Sequence, residues 1–480
     1  MSGTLTSRAF GLLRQVVFNN LYPDLAKDVF NVAFRVPNLF REILAEGAIT
    51  NALVPLLSEL SPEKKSAFLR HFFGLLLAAN LVVVGLIELF APFFADLLVA
   101  EGSSLPLAQV TLAIRVVAPF LLAVSLAAFF AAILQAEERF LAPAFAPVVF
   151  NLTAIALMLA FPKTATGVAL AFVAGGFAQA AVNLFFLRDL GLGFALELTP
   201  ELRRALSLMS PFALTTTARQ AVNIVLTAIL TAFPTAAVTG FYNAEMIYLM
   251  LLGLFAVSPA TALFSRLANV YAQYGENDVY SFKVYLEEAA AQVGVLLLFA
   301  SAYTFALAPW LVAALFAWSP GFSPANFAFS TAALRALALA LLPWGVYTIL
   351  ARAFYAQKRP FFAAGVSVFV FLLNALGYYL LAPGGMFVLN LATFFAGVVG
   401  VLVLAWVLSR EGWIEPKALF TRLWPYFPLA LGSALVAWFF AWVAGPPASA
   451  WASLFPLAAG AAGGFLTYRL LESFGYRTSR

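Results

Sequence analysis

The sequence predicts an all-α polytopic membrane protein, and three observations carry that prediction. Of 480 residues, 63% are hydrophobic and only 10% are charged, with a mean hydropathy of +0.95; soluble domains carry about 25% charged residues. Apolar stretches of about 20 residues, enough to cross a ~30 Å hydrocarbon core, recur from one end to the other. The connections between them are short and leave no room for a soluble domain.

In order, roughly fourteen spans are read. Spans 4–22 and 28–57 hold most of the intramembrane charge and are joined across Lys27. The polar stretch 58–66 leads to 70–99, and then come 105–136, 140–161 and 164–188, with Arg139 and Lys163 in the last two connections. A central polar linker, 188–204, precedes 203–233 and 236–268. The polar stretch 269–283 separates these from 283–316 and 327–356. Lys358 and Arg359 divide off 360–382 and 385–409, and Arg410, Lys417 and Arg422 precede 418–444 and 448–472.

Basic residues fix the orientation. With the amino terminus cytoplasmic, the inside connections hold Lys64, Lys65, Arg70, Arg139, Arg188, Arg203, Arg204, Arg266, Lys283, Lys358, Arg359, Arg410, Lys417, Arg422 and the tail arginines, whereas the outside offers Lys27 and Lys163. The positive-inside rule then places both ends in the cytoplasm. The net charge of +5 therefore reflects topology and gives no indication of nucleic-acid binding. The first span starts at once without a small-residue cleavage site and is expected to remain as an anchor. With no cysteine, thiol and disulfide chemistry are excluded.

The linker divides twelve spans into an N-lobe, 1–190, and a C-lobe, 200–410, leaving a helix pair at 416–475. A weak repeat supports this: Gln135-Ala136-Glu137-Glu138-Arg139-Phe140 and Ala356-Gln357-Lys358-Arg359-Pro360-Phe361 each follow the fourth span of a half. Internal symmetry of this kind is expected of transporters, whose substrate lies between the repeats. The final pair is rich in Trp, Phe, Ala and Gly, which suits helix packing, lipid contact or a groove for a lipid tail.

Within the first sixty residues stand Arg8, Arg14, Arg35 and Arg41, with Asp28, Glu42 and Glu46. Each intramembrane charge costs about 2.5–3.5 kcal/mol on insertion scales, so such groups face a watery cavity or a partner. Arg8, near the start of its span, can also snorkel to the interface; Arg14 lies ~9 Å deeper. In the second span Pro37 and Gly47 are read as hinges. Arg35, Asn38 and Arg41 or Glu42 follow three-to-four spacing on one face, which Glu46 continues. Clustered guanidinium groups repel unless an anion joins them, and their fork matches phosphate. Asp28, Glu42 and Glu46 can neutralise the cluster or hold single arginines. Arg219 and Glu245, in the first two spans of the second half, are further candidates, and Arg115, Arg335 and Arg352 lie in other spans.

Catalytic chemistry finds no support. The lone histidine, His71, stands at a cytoplasmic helix end. No metal cluster, glycine-rich phosphate loop or convergent acid pair is found, so the reading is not an enzyme and has no cofactor.

The runs Ser7-Arg8-Ala9-Phe10-Gly11-Leu12-Leu13-Arg14, Asp28 through Arg41, Ala45-Glu46-Gly47-Ala48 and Val54-Pro55 resemble the amino-terminal signature of the MurJ (MviN) lipid II flippases. These belong to the multidrug/oligosaccharidyl-lipid/polysaccharide (MOP) exporter superfamily. Phe140 to Pro147 with Asn151, and Leu350 to Ala356, also resemble the family. The resemblance implies fourteen helices in two six-helix lobes plus a carboxy-terminal pair that forms a groove for the undecaprenyl tail. It further implies a bacterial cytoplasmic membrane protein that moves lipid II by alternating access, without ATP, in contact with membrane lipids and as a monomer. The family's central arginines fall on Arg8, Arg14 and Arg41, and its aspartate on Asp28. Two departures stand out. Met246 takes the place of an arginine usual in the eighth span, with Arg219 as a substitute. No Asp or Glu occurs between Glu288 and Glu411, where some members hold sodium, so only neutral groups such as Asn374 remain there. The coupling ion, H+ or Na+, stays open. A related exporter of another lipid-linked oligosaccharide, or a cation-coupled drug antiporter, is the alternative.

Overall fold

The computed structural model describes residues 2–44, 48–187, 193–274 and 279–473, and among these there is no strand. The described helices follow the expected spans in chain order, several spans holding more than one helical segment. The first two become α1 (Ser2–Leu21), α2 (Asp24–Leu44) and α3 (Ala48–Glu59). Next come α4 (Pro62–Leu89) with α5 (Ala91–Leu98), α6 (Leu107–Val117) with α7 (Phe120–Ala136), α8 (Leu141–Ala160), α9 (Ala165–Phe185) and α10 (Pro200–Thr231). The chain continues through α11 (Ala237–Leu252), a π-helical segment Gly253–Val257, and α12 (Ser258–Tyr274). Then follow α13 (Val279–Phe316), α14 (Pro324–Ala356), α15 (Pro360–Leu381), α16 (Gly385–Arg410), α17 (Pro416–Leu423), α18 (Tyr426–Ala444) and α19 (Ala450–Ser473). Ten stretches of the described residues are long and apolar enough to cross a membrane; α1 and α2 are not among them. Their charges lower the hydropathy that marks the other spans.

Local chemistry sets several helix starts. Thr199 accepts from the Leu202 N–H (3.2 Å) ahead of Pro200, Ser323 accepts from Asn326 (3.0 Å) ahead of Pro324, and Thr164 accepts from Gly167 (3.2 Å). Each hydroxyl satisfies an otherwise orphaned donor, and proline in the first turn loses nothing because its missing N–H would have had no partner. At the end of α8, the Lys163 ammonium donates to the carbonyls of Leu159 (3.0 Å) and Met158, which anchors that cation at the negative end of the helix.

The chain divides into two compact units, Met1–Val238 and Thr239–Arg480. In the first, α8 packs on α1 and α9, α7 on α3 and α9, and α10 on α2, α3, α4 and α5. Thus α10, the first span after the central linker, belongs by packing to the first unit. Buried polar pins tie these helices together: Asn80 accepts from Ser125 (2.9 Å), Asn183 donates to the Ala127 carbonyl (3.0 Å), and the Tyr22 hydroxyl donates to the Met158 carbonyl (2.9 Å). In the second unit α13 and α14 pack together, α14 on α16, and α18 on both α13 and α19. There Asn326 accepts from Asn243 (3.0 Å) and from Ser330 (3.1 Å). In apolar surroundings such pairs, together with small residues, supply what the hydrophobic effect cannot.

Gly175 permits the close approach of α9 to α8: a Cβ there would stand 2.9 Å from both the Phe150 carbonyl oxygen and its ring. Because the obstacle includes backbone, Gly175→Val is expected to destabilise the protein by about 1–3 kcal/mol. A lowered midpoint in thermal unfolding of the detergent-solubilised protein, set beside Gly85→Val, whose added Cβ meets nothing within 4 Å, checks this.

Candidate functional site

The candidate residues on α1 and α2 are set into the first unit in different ways. Arg14 projects from α1 into an aromatic wall, its guanidinium carbon 4.6 Å from the Phe172 ring centroid on α9 and 5.1 Å from that of Phe150 on α8. Its Nε is buried with no hydrogen-bond partner, and no carboxylate stands within salt-bridge reach among the described residues. The wall continues onto α2, where Phe30 and Phe34 lie 4.8 and 5.4 Å from Phe172. The π faces attract the cation electrostatically but do not neutralise it. Arg8, one turn and a half earlier, is exposed.

One turn beyond Phe34 begins a polar network. Asn38 is buried; its Oδ1 accepts from Arg41 Nε (3.0 Å) and its Nδ2 donates to Glu42 Oε1 (3.1 Å). The other Glu42 oxygen accepts from Arg219 of α10 (2.6 Å) and, through a short hydrogen bond, from Gln220. The second Arg41 nitrogen is 3.8 Å from Glu42 Oε1. Gln220 is itself oriented by Asn223, which donates to its Oε1 (3.4 Å). Arg35 lies nearby on α2 and lines a small cleft with Leu39, Phe94, Leu98 and Ile224.

Asp28 is buried and accepts from the Ala236 N–H (2.7 Å), at a residue held with φ at 82°. It therefore secures the turn after α10 in an unusual conformation for alanine. Lys27, fully buried, pairs with Asp24 (2.7 Å) and donates to the Asn19 carbonyl (3.1 Å). Pro37 lies inside α2. Glu46 and Gly47 fall outside the described residues. Glu245 is half-buried on α11 of the second unit, one residue before Met246. The structure thus joins Asn38, Arg41 and Arg219 directly through Glu42, and places Arg14, Arg35 and Asp28 at separate stations of the same unit. Sequence reasoning named Glu42 as a neutraliser, but it did not foresee Gln220, Phe150 or Phe172. The i to i+4 relation of Phe34, Asn38 and Glu42 was the available signal.

In the second unit a cavity of about 640 Å³ runs between α13, α14, α16 and α18, lined by Leu298, Phe305, Leu339, Leu431, Leu435 and Trp438, among others. Arg335 enters it, 5.9 Å from the Phe305 centroid, with its Nε buried and without a partner. On α15 the buried Asn374 Oδ1 has no protein partner, and one turn on Tyr378 shares a hydrogen bond with Thr393 (2.7 Å). These neutral groups, with no Asp or Glu between Glu288 and Glu411, do not fit a carboxylate sodium site. No group of three His, Cys, Asp or Glu side chains gathers among the described residues.

Helices long and apolar enough to cross a membrane, arginines set among aromatic rings and carboxylates, and an apolar cavity define a multi-span membrane protein with sites suited to an anion and to an apolar group. The family model for lipid II flippase MurJ matches residues 19–455, and the chain belongs to that family. Among its relatives, the "Probable lipid II flippase MurJ" of Rhizobium meliloti is 29% identical over 93% of this chain and 86% of that protein. The "Lipid II flippase MurJ" of Burkholderia cenocepacia is 26% identical over 90% and 86%. A solved lipid II flippase MurJ in an inward closed conformation has the same fold, with a TM-score of 0.80 at 21% identity over 99% of both chains. An inward-facing MATE-family multidrug transporter of the MOP superfamily gives 0.66 at 15% identity over 85% of this chain and 95% of the other.

The Asp28 contact separates charge from geometry. Asp28→Ala leaves the buried Ala236 N–H without its acceptor and is expected to cost about 1–3 kcal/mol. Asp28→Asn keeps an oxygen there and should lose clearly less; thermal unfolding of the two variants in detergent checks the order.

Proposed function

We propose that this protein carries lipid II, an undecaprenyl-pyrophosphate-linked disaccharide peptide, from the inner to the outer leaflet of the bacterial cytoplasmic membrane, with both of its ends cytoplasmic. The observation that carries the reading is Arg14, a guanidinium kept against Phe150 and Phe172 with a buried unpartnered Nε. A desolvated cation of this kind favours an anion, and a pyrophosphate presents oxygens that match the guanidinium fork. The names of the relatives support lipid II as the cargo.

Arg8, Arg14 and Arg41 are the proposed pyrophosphate ligands, with Arg35 and Arg219 adding positive potential and Asn38 a neutral donor. Alternating access moves the site from one face to the other, pivoting around Pro37 and Gly47. No covalent step and no ATP are involved. The apolar cavity lined by Leu431, Leu435 and Trp438 takes the polyprenyl tail, where burial of methylene groups contributes roughly 0.8 kcal/mol each. The drive comes from membrane potential or from protonation of Asp28, Glu46 or Glu245, because the neutral groups around Asn374 do not favour sodium.

The test is complementation of a bacterium depleted of its own lipid II flippase. The unmodified protein should restore growth and lipid II translocation, and Arg14→Ala and Arg41→Ala should abolish both at equal membrane abundance. Failure of the unmodified protein, though present in the membrane, would count against lipid II as cargo. Full rescue by both variants would remove the arginine mechanism. A second expectation concerns the tail: Leu435→Trp, which fills the cavity, should reduce translocation several-fold, and an accelerated or unchanged rate in a vesicle assay would exclude the cavity as the tail site.

A further inference from the structure

The Glu42 carboxylate is held by donors from two helices: Asn38 (3.1 Å) and Arg41 (3.8 Å) from α2, and Arg219 (2.6 Å) and Gln220 from α10. Both neutral donors are fixed in their direction. The Asn38 amide is oriented by accepting from Arg41 Nε, and the Gln220 amide by accepting from Asn223, so each turns its NH2 toward Glu42. Two guanidinium groups and two amides converging on one anionic group form an anion cradle, and here the anion is the protein's own side chain. With Glu42 in place the two arginines and one carboxylate sum to +1; without it the cradle is +2.

We propose that Glu42 is a built-in stand-in for phosphate, occupying the Arg41–Arg219 cradle while no cargo is bound and yielding it to the diphosphate of the incoming lipid. The inference rests on the reading of the protein as a carrier of a pyrophosphate-linked lipid, and it adds a residue that sets affinity and release. Exchange is feasible because the cradle is open on one side: Arg219 is 54% exposed whereas Glu42 is 15% exposed. A half-exposed ion pair is weak in water, and a diphosphate carries more charge and more acceptor oxygens than a carboxylate. Return of Glu42 to the arginines then displaces the diphosphate, which supplies the re-pairing that release requires. The same cradle gives the chain a basic residue in α10, whereas Met246 takes the position on α11 where the resemblance expects an arginine.

The experiment measures binding of farnesyl diphosphate, and separately of inorganic pyrophosphate, to the purified full-length protein by isothermal titration, with thermal unfolding as the control for folding. Removing the competing charge in Glu42→Gln should tighten farnesyl diphosphate binding about tenfold and slow lipid translocation in vesicles. Arg219→Ala should weaken binding about tenfold. Loss of a nearby negative charge by itself favours an anion, so binding and translocation are read together: unchanged or weaker binding by a folded Glu42→Gln protein, or tightening with translocation that is not slowed, overturns the proposal. Where Glu42→Gln does not fold, unchanged binding in Arg219→Ala overturns it instead. The underlying functional reading fails separately, when Arg14→Ala and Arg41→Ala bind diphosphate as well as the unmodified chain does.

Discussion

A guanidinium at membrane depth must be compensated, and the first unit is arranged around two different ways of doing so. Arg14 is met by π faces, with Phe172 and Phe150 at 4.6 and 5.1 Å. Arg41 and Arg219 are met by a carboxylate, Glu42. Each solution dictates its surroundings. The aromatic one needs α8 and α9 close together, which Gly175 permits, and it recruits Phe30 and Phe34 so that α2 closes the wall. The ionic one needs α10 against α2, and the packing of α10 on α2, α3, α4 and α5 supplies that.

Much of this was legible in the sequence. Composition and span length specified a multi-helix membrane protein, and the described residues are helical with ten stretches long and apolar enough to cross a membrane, a count consistent with the roughly fourteen spans expected. Arg35, Asn38 and Glu42 share a face of α2 as their spacing requires, and that face meets α10. What the sequence concealed was partner identity across large separations. Nothing local in Glu42 announces a contact 177 residues away, and phenylalanine is so common here, at 50 residues, that Phe150 and Phe172 carry no individual signal. Helix breaks within spans were hidden for a related reason. A span such as 105–136 reads as one apolar run, whereas Ala118 and Pro119 divide it into α6 and α7. The division of the chain was also a matter of packing: composition marks the linker at 188–204, but contacts keep α10 with the helices before it.

The second unit handles charge differently. Near the helix ends its charges are paired: Glu287, nearly fully buried, accepts from the Glu415 N–H (2.8 Å) and lies within 4.0 Å of Lys283 and 3.8 Å of Arg422. Those contacts fasten α17 to α13 and explain how an acid is tolerated inside. Deeper in the unit, Arg335 stands beside the Phe305 ring at the wall of an apolar cavity. A cavity lined almost entirely by hydrocarbon with one cation at its wall favours a long aliphatic chain and disfavours a neutral polar occupant, which would leave its hydrogen bonds unmade.

The two forms of compensation differ in a way that bears on transport. A π face stabilises a cation without cancelling its charge, so Arg14 remains an attractor for anions whatever else is bound. A carboxylate cancels one of the two charges, so the Arg41–Arg219 pair attracts an anion more strongly as Glu42 withdraws. On the proposed reading, the first arrangement provides constant capture and the second a competing, intramolecular anion at very high effective concentration. Carriers need both, because a site that only captures holds its cargo and does not turn over. Phe34 and Asn38, one helical turn apart on α2, link the aromatic wall to the cradle. On that same proposed reading, a tilt or rotation of α2 as a whole would change the two arrangements together, giving a single helix control over the balance between holding a diphosphate and letting it go.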